Sequence, residues 1–189
     1  YENLLSIVEE YMDKINHLTG KAYGLFNYYG ADDAEEIIVA MGSVVETIQE
    51  TVDALNKQGK KYGVVNVHLY RPFSGKHLLG CIPKTVKRIC VLDRTKEPGA
   101  LGEPLYLDVK TAFYGTEQKV EIIGGRFGLG SKDTVPADIK AVFDNLSSKN
   151  PKNGFTIGIV DDVTNTSLQR DNAFKIIKPE TVSCMFWGL

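Results

Sequence analysis

The sequence predicts an α/β fold. Three observations carry this: short β-branched and apolar runs recur from Glu36 onward, stretches with apolar residues at three- and four-residue spacing fill the intervals, and small residues or Pro mark the junctions. Strand, small-residue turn and helix, repeated in that order, are the signature of a sheet with crossover helices.

Taken in order, Leu4, Val8, Tyr11, Met12, Ile15 and Leu18 recur at helical spacing up to Gly20, which reads as an amphipathic helix ended by a glycine. Its apolar stripe requires cover, either from this domain's own core or from a preceding domain. Strands are expected at Ile37 to Met41, Gly63 to Leu69, Arg88 to Leu92, Val120 to Ile123 and Phe155 to Ile159. Helices are expected over Val44 to Gln58, Ser74 to Cys81, Glu103 to Phe113 and Pro136 to Ser147. After Asp161 the composition turns polar, as in a linker. Phe174, Ile176, Ile177, Met185, Phe186 and Trp187 follow, but Pro179 forbids one continuous helix across them. An extended strap is expected there, with Trp187 seeking apolar cover.

Composition narrows the function. The chain has 189 residues, 43% of them hydrophobic, enough for a core of its own. A net charge of -2 without Lys/Arg runs argues against nucleic acid, and no apolar run reaches membrane-span length, so a cytoplasmic protein is expected. Cys81, Cys90 and Cys184 are widely spaced, without the C-x-x-C pairs of zinc or cluster ligation, and read as buried free thiols. The chain opens on Tyr1 and closes on Phe186-Trp187-Gly188-Leu189, and is expected to be a piece of something longer.

Four constellations invite chemistry. Met41-Gly42-Ser43 at a strand-to-helix turn could offer amides to an anion, but without the dinucleotide fingerprint it equally reads as a tight turn with a cap. The loop from Gly124 to Lys132 carries four glycines and two cations, yet Gly130-Ser131-Lys132 inverts the order a phosphate loop needs. Its glycines are expected to supply positive φ, with Ser131 or Asp133 capping the next helix. Asp161-Asp162 could bind a hard metal or serve as acid and base, but adjacent residues usually point apart and nothing nearby completes a shell; His17, His68 and His77 lack metal spacing, and a spatial Ser/His/Asp triad has no nucleophile elbow to announce it.

The fourth is the stretch from Val91 to Asp108, where a strand runs out into charge, Gly and Pro. Arg94, Lys96, Glu97 and Glu103 surround Pro98, Gly99, Gly102 and Pro104, a loop built to hold a shape. Pro104 suits the first turn of the next helix and Glu103 complements its dipole. Such a loop serves a domain interface or a small anion, and the interface is the preferred reading.

Leu92 to Val109 closely resembles the second domain of pyruvate:ferredoxin (flavodoxin) oxidoreductase. Ile37 to Ser43, Leu69 to Ser74, Gly124 to Asp133 and Asp161 to Leu168 resemble the same family in the same order. The resemblance implies a transketolase C-terminal-like domain, three-layer α/β/α, with a mostly parallel five-stranded sheet containing one antiparallel strand. It divides the chain into 1–30, a helix and crossover from the preceding domain; 31–162, the α/β domain; and 163–189, an extended linker toward the next. For the whole enzyme it implies thiamine diphosphate, Mg2+, [4Fe-4S] clusters, coenzyme A as substrate, ferredoxin or flavodoxin as partner, and a homodimer. The resemblance places no cofactor-binding or catalytic residue in this stretch. The chain is therefore expected to act as a scaffold contacting other domains of its own polypeptide. The alternative is a self-sufficient phosphate- or nucleotide-binding or transferase domain using the glycine-rich loops.

Overall fold

The computed structural model describes residues 3–177, 180–182 and 184–188. The expected helices form as α1 (Leu4–Thr19), α2 (Val44–Asn56), α3 (Gly75–Cys81), α4 (Pro104–Phe113) and α5 (Pro136–Leu146). The strands are β1 (Phe26–Gly30), β2 (Glu36–Ala40), β3 (Tyr62–Val67), β4 (Arg88–Asp93), β5 (Glu121–Arg126) and β6 (Phe155–Thr156). They form one sheet in the order β1-β3-β2-β4-β5-β6, parallel except where β1 pairs antiparallel with β3.

The sheet separates two cores, because alternate side chains of a strand face opposite ways. Ile38, Ala40, Val64, Cys90 and Leu92 face α2 and α5, among Ile48, Val52, Ile139 and Phe143. Ile37, Val39, Val65, Ile89 and Val91 face the other side, among Leu78, Leu105 and Val109 of α3 and α4. Leu5, Val8 and Met12 of α1 lie on this second face. The result is three layers, helix on sheet on helix. The near-continuous apolar runs of β2 and β4 follow from burial on both faces.

The sheet has six strands rather than five. Phe26–Gly30, expected as a crossover belonging with 1–30, is instead the edge strand β1, in register from Phe26 opposite Val67 to Gly30 opposite Gly63. Gly63 makes room for it: a Cβ there would come within 2.3 Å of the Tyr28 hydroxyl. At the opposite edge β6 is only two residues long, and Gly158 at φ 78° turns the chain out of it. Beyond it, Thr156 bridges Ser167, Leu168 and Phe174 rest on the first core, and no described residue after 147 is helical. Lys178 and Pro179 lie outside the described residues. Trp187 is 89% exposed and finds no apolar cover among them.

Candidate functional site

In a sheet of this kind the crossovers run one way from one strand and the other way from its neighbour, and ligands gather outside the strand ends where the direction changes. Here β2 leads to β3 on one side, whereas β4 lies on its other side, so the switch falls between β2 and β4. A cleft of about 330 Å³ opens there. Met41, Val44, Tyr70, Pro104 and Phe127 supply its apolar walls, and Ser43, Asp93, Arg94 and Thr95 its polar edge.

The turn Met41-Gly42-Ser43 therefore forms one wall of the cleft and the start of the central loop the other. Gly42 takes φ 81°, the left-handed turn that carries β2 into α2, and Ser43 is the N-cap residue but makes no side-chain cap bond. On its far side the same turn borders a second, polar cavity of about 660 Å³ with Asn66 and His68. Arg94 lies across Gly128, where a Cβ would be 3.0 Å from its Nε, and no carboxylate partner of Arg94 occurs among the described residues. Gly128 has φ 63°, a left-handed backbone conformation that favours glycine.

Asp93 is the buried acid beside this cleft, and both its oxygens are committed. They accept from the backbone N–H groups of Leu105 (3.0 Å) and Tyr106 (3.1 Å), two of the amides a helix N-terminus leaves unpaired. Burial raises its pKa above the ordinary aspartate value, and these two hydrogen bonds oppose the rise. Asp93 thus holds α4 to the end of β4, the role of an N-cap carried out from a neighbouring strand.

The central loop separates into parts with different tasks. Arg94 lines the cleft; Lys96, Glu97, Pro98 and Gly99 form an exposed tip, with Gly99 at φ 84°. Gly102 sits beneath Tyr106, whose ring would be 2.5 Å from a Cβ. Glu103 is buried as the N-cap residue of α4, and its carboxylate accepts from Arg126 Nε at 2.6 Å. Arg126 also donates to the Gly154 carbonyl at 2.8 Å. Glu103, expected to complement the helix dipole, thus also has a specific partner on β5.

The glycine-rich loop resolves differently from a phosphate cradle. Gly124 and Gly125 lie in β5, where added Cβ atoms would meet Tyr106 at 3.0 Å and Phe155 at 2.3 Å; they make room for aromatic rings on opposite faces. Gly128 and Gly130 do take positive φ. Neither Ser131 nor Asp133 caps α5; Asp138 does, accepting from the Val135 N–H at 3.0 Å. Asp162 organises its own turn, accepting from Thr166 N–H (3.1 Å) and Ser167 N–H (2.8 Å), and Asp161 is exposed.

One arrangement had no marker in the sequence. Ser74 Oγ lies 2.6 Å from His77 Nδ1, and His77 Nε2 lies 3.3 Å from Glu9 Oε1 of α1. The order of atoms matches a hydrolytic triad, but none of the cavities described borders these residues and Ser74 is buried. A nucleophile must reach a substrate. The contact ties α1 to α3. The three cysteines lie apart in the fold: Cys90 is buried in β4, Cys81 half-buried at the end of α3, and Cys184, outside any helix or strand, is exposed, contrary to expectation. No three His, Cys, Asp or Glu residues gather around a metal-sized space among the described residues. No described helix is long and apolar enough to cross a membrane.

Comparison with known proteins adds a lineage to this geometry. Residues 34–139 match the family model described as pyruvate:ferredoxin oxidoreductase core domain II. The chain is 58% identical to the pyruvate-flavodoxin oxidoreductase of Enterobacter agglomerans over 190 residues, covering all of this chain and 16% of that protein. It is 52% identical to the pyruvate:ferredoxin oxidoreductase of Moorella thermoacetica, covering 97% of this chain and 16% of that protein. It is 51% identical to the mitochondrial pyruvate dehydrogenase [NADP(+)] of Euglena gracilis, covering all of this chain and 11% of that protein.

Proposed function

The chain belongs to the pyruvate:ferredoxin oxidoreductase family, as core domain II, and from that premise we propose that it is a non-catalytic scaffold within a longer cytoplasmic polypeptide. The observation that carries the reading is Asp93. The buried acid at the switch point, where an enzyme of this architecture would place its chemistry, is spent on holding α4. Glu103 and Arg126 are likewise spent on each other. The α/β body over 31–162, together with β1, spaces its neighbours, and 163–189 leads to the next domain. The exposed tip from Lys96 to Gly99 meets one of those domains.

The whole protein, on this reading, is a homodimer that converts pyruvate and coenzyme A to acetyl-coenzyme A and carbon dioxide, passing electrons to ferredoxin or flavodoxin. Three cysteines cannot supply the four thiolates of a [4Fe-4S] cluster, and among the described residues no three His, Cys, Asp or Glu side chains gather as metal ligands. Other domains would hold these groups. The test is direct: the 189-residue chain should give no pyruvate-dependent dye reduction and no heat of binding with thiamine diphosphate or coenzyme A. Micromolar binding of either would overturn the scaffold assignment.

The second reading, a small-molecule-binding or transferase domain, is favoured by the cleft beside Arg94, where an unpaired cation faces apolar walls. A thermal-shift panel of phosphates, nucleotides and thiamine diphosphate separates the two. A ligand present at about 100 times its Kd stabilises by about 2.7 kcal/mol.

A further inference from the structure

Helix α1 has more apolar surface than this domain covers. At 100° per residue its apolar side chains occupy an arc of roughly 160°, with Glu9, Asp13 and Asn16 on the remainder. One half of the arc, Leu5, Val8 and Met12, lies against the second core. The other half, Leu4, Ile7, Tyr11, Ile15 and Leu18, faces outward with exposures from 36% to 86%. This outer set follows spacings of three, four, four and three, so it returns to the same side after two heptads and forms a straight seam roughly 21 Å long. Such a seam packs along another helix at a shallow angle, about 20°, because ridges and grooves stay in register over its length. Its outer border is polar: Lys14 bonds Glu10 at 2.6 Å and lies over the Tyr11 ring at 4.6 Å. An apolar strip with a charged rim is how a protein interface is built.

We infer that the outer seam of α1 is covered by an amphipathic α-helix from another domain of the same polypeptide. The choice of occupant follows from the relatives, in which the matched stretch is 16% of the length, so most of each chain lies outside it. A covalently joined helix meets the seam at an effective concentration of about millimolar, which a separate protein does not reach in dilute solution. This inference rests on the chain being one domain of a longer polypeptide, and is independent of whether the domain is catalytic. The contact from His77 to Glu9 fixes α1 on its inner side, so the seam is presented by a helix already held in place.

The experiment uses the full-length polypeptide with benzoylphenylalanine in place of Tyr11, as light and heavy nitrogen isotope forms mixed in equal amounts until native mass spectrometry shows subunits of both isotopes in any dimer, and then photo-crosslinked. The expected product joins Tyr11's position to a helical peptide outside these 189 residues, with both peptides of one isotope. Mixed-isotope products, a link to a non-helical peptide or to a separate protein, or no crosslink would each overturn the inference. In parallel, Ile7→Glu with Ile15→Glu should speed amide exchange in the linked helix by about tenfold, whereas His17→Glu, on the polar face, should change it less than about twofold. Exchange in β4 checks that the double variant is folded. Should it not fold, the crosslink on the otherwise unchanged sequence still decides. Turnover by the isolated chain would refute the scaffold reading and leave this interface untouched.

Discussion

Replacing Arg126 by Met should be among the costliest single changes in this domain. Its Nε lies 2.6 Å from Glu103 Oε1, where the glutamate side chain is 5% exposed, and its Nη1 donates to the Gly154 carbonyl at 2.8 Å. Met fills similar space but leaves a buried carboxylate without a partner, which costs about 3–5 kcal/mol. The reciprocal change, Glu103→Leu, leaves an arginine that still reaches Gly154 and is 16% exposed, so a smaller loss is expected, about 1–3 kcal/mol. The double variant removes both charges, and its loss should fall short of the sum by about 1–3 kcal/mol. Urea unfolding followed by circular dichroism gives all four corners of the cycle, provided the m-values agree. Additivity within about 0.5 kcal/mol would show that the two side chains are neighbours without being partners, and the loop's anchoring would need another account.

Gly99→Val and Gly102→Val should both destabilise by about 1–3 kcal/mol, the first through its left-handed backbone and the second by collision with Tyr106, whereas Lys96→Ala should cost under about 0.5; melting temperatures compare the three. Asp93→Ala should cost about 1–3 kcal/mol by leaving the Leu105 and Tyr106 amides unpaired. Because the native pKa of Asp93 lies above 3.8, protonation favours the folded state, so its contribution is fullest below that value and declines as pH rises through the native pKa. The stability gap between wild type and the variant should therefore narrow with rising pH, and a gap that widens would contradict the sign. Burial raises the Cys81 thiol to about 11 and pushes Cys90 higher still, so iodoacetamide at pH 8 should label exposed Cys184 first and spare Cys90 until the protein unfolds, as peptide mass mapping will report.

The parts of the fold legible in the sequence are those governed by local pattern. Strands β2 to β5 and all five helices lie within a few residues of expectation, because burial on two faces writes continuous apolar runs and one-sided burial writes helical periodicity. Phe26–Gly30 carries its signal in the aromatic residues Phe26, Tyr28 and Tyr29, but its partner β3 lies 33 to 41 residues on, and no local pattern reveals that pairing. The same holds at the candidate site. Glu103 was recognisable as a helix-start acid, while its real partner, Arg126, lies 23 residues away. Asp93 is absent from the charges read in the central loop; an aspartate closing an apolar strand ahead of a proline-led helix is the clue the sequence holds to its role. Gly124 and Gly125 looked like loop glycines because spacing does not show which rings press on a strand.

Those two glycines have a consequence for how this domain can change over generations. Neighbouring residues of one strand face opposite layers, so Gly124 answers to Tyr106 in one core and Gly125 to Phe155 in the other. A methyl group gained at 125 demands a smaller side chain at 155 and nothing at 106; one gained at 124 demands relief at 106 and nothing at 155. Descendants of this sequence should therefore exchange residues at 124 with 106, and at 125 with 155, as two separate inheritances that share a backbone and otherwise ignore each other.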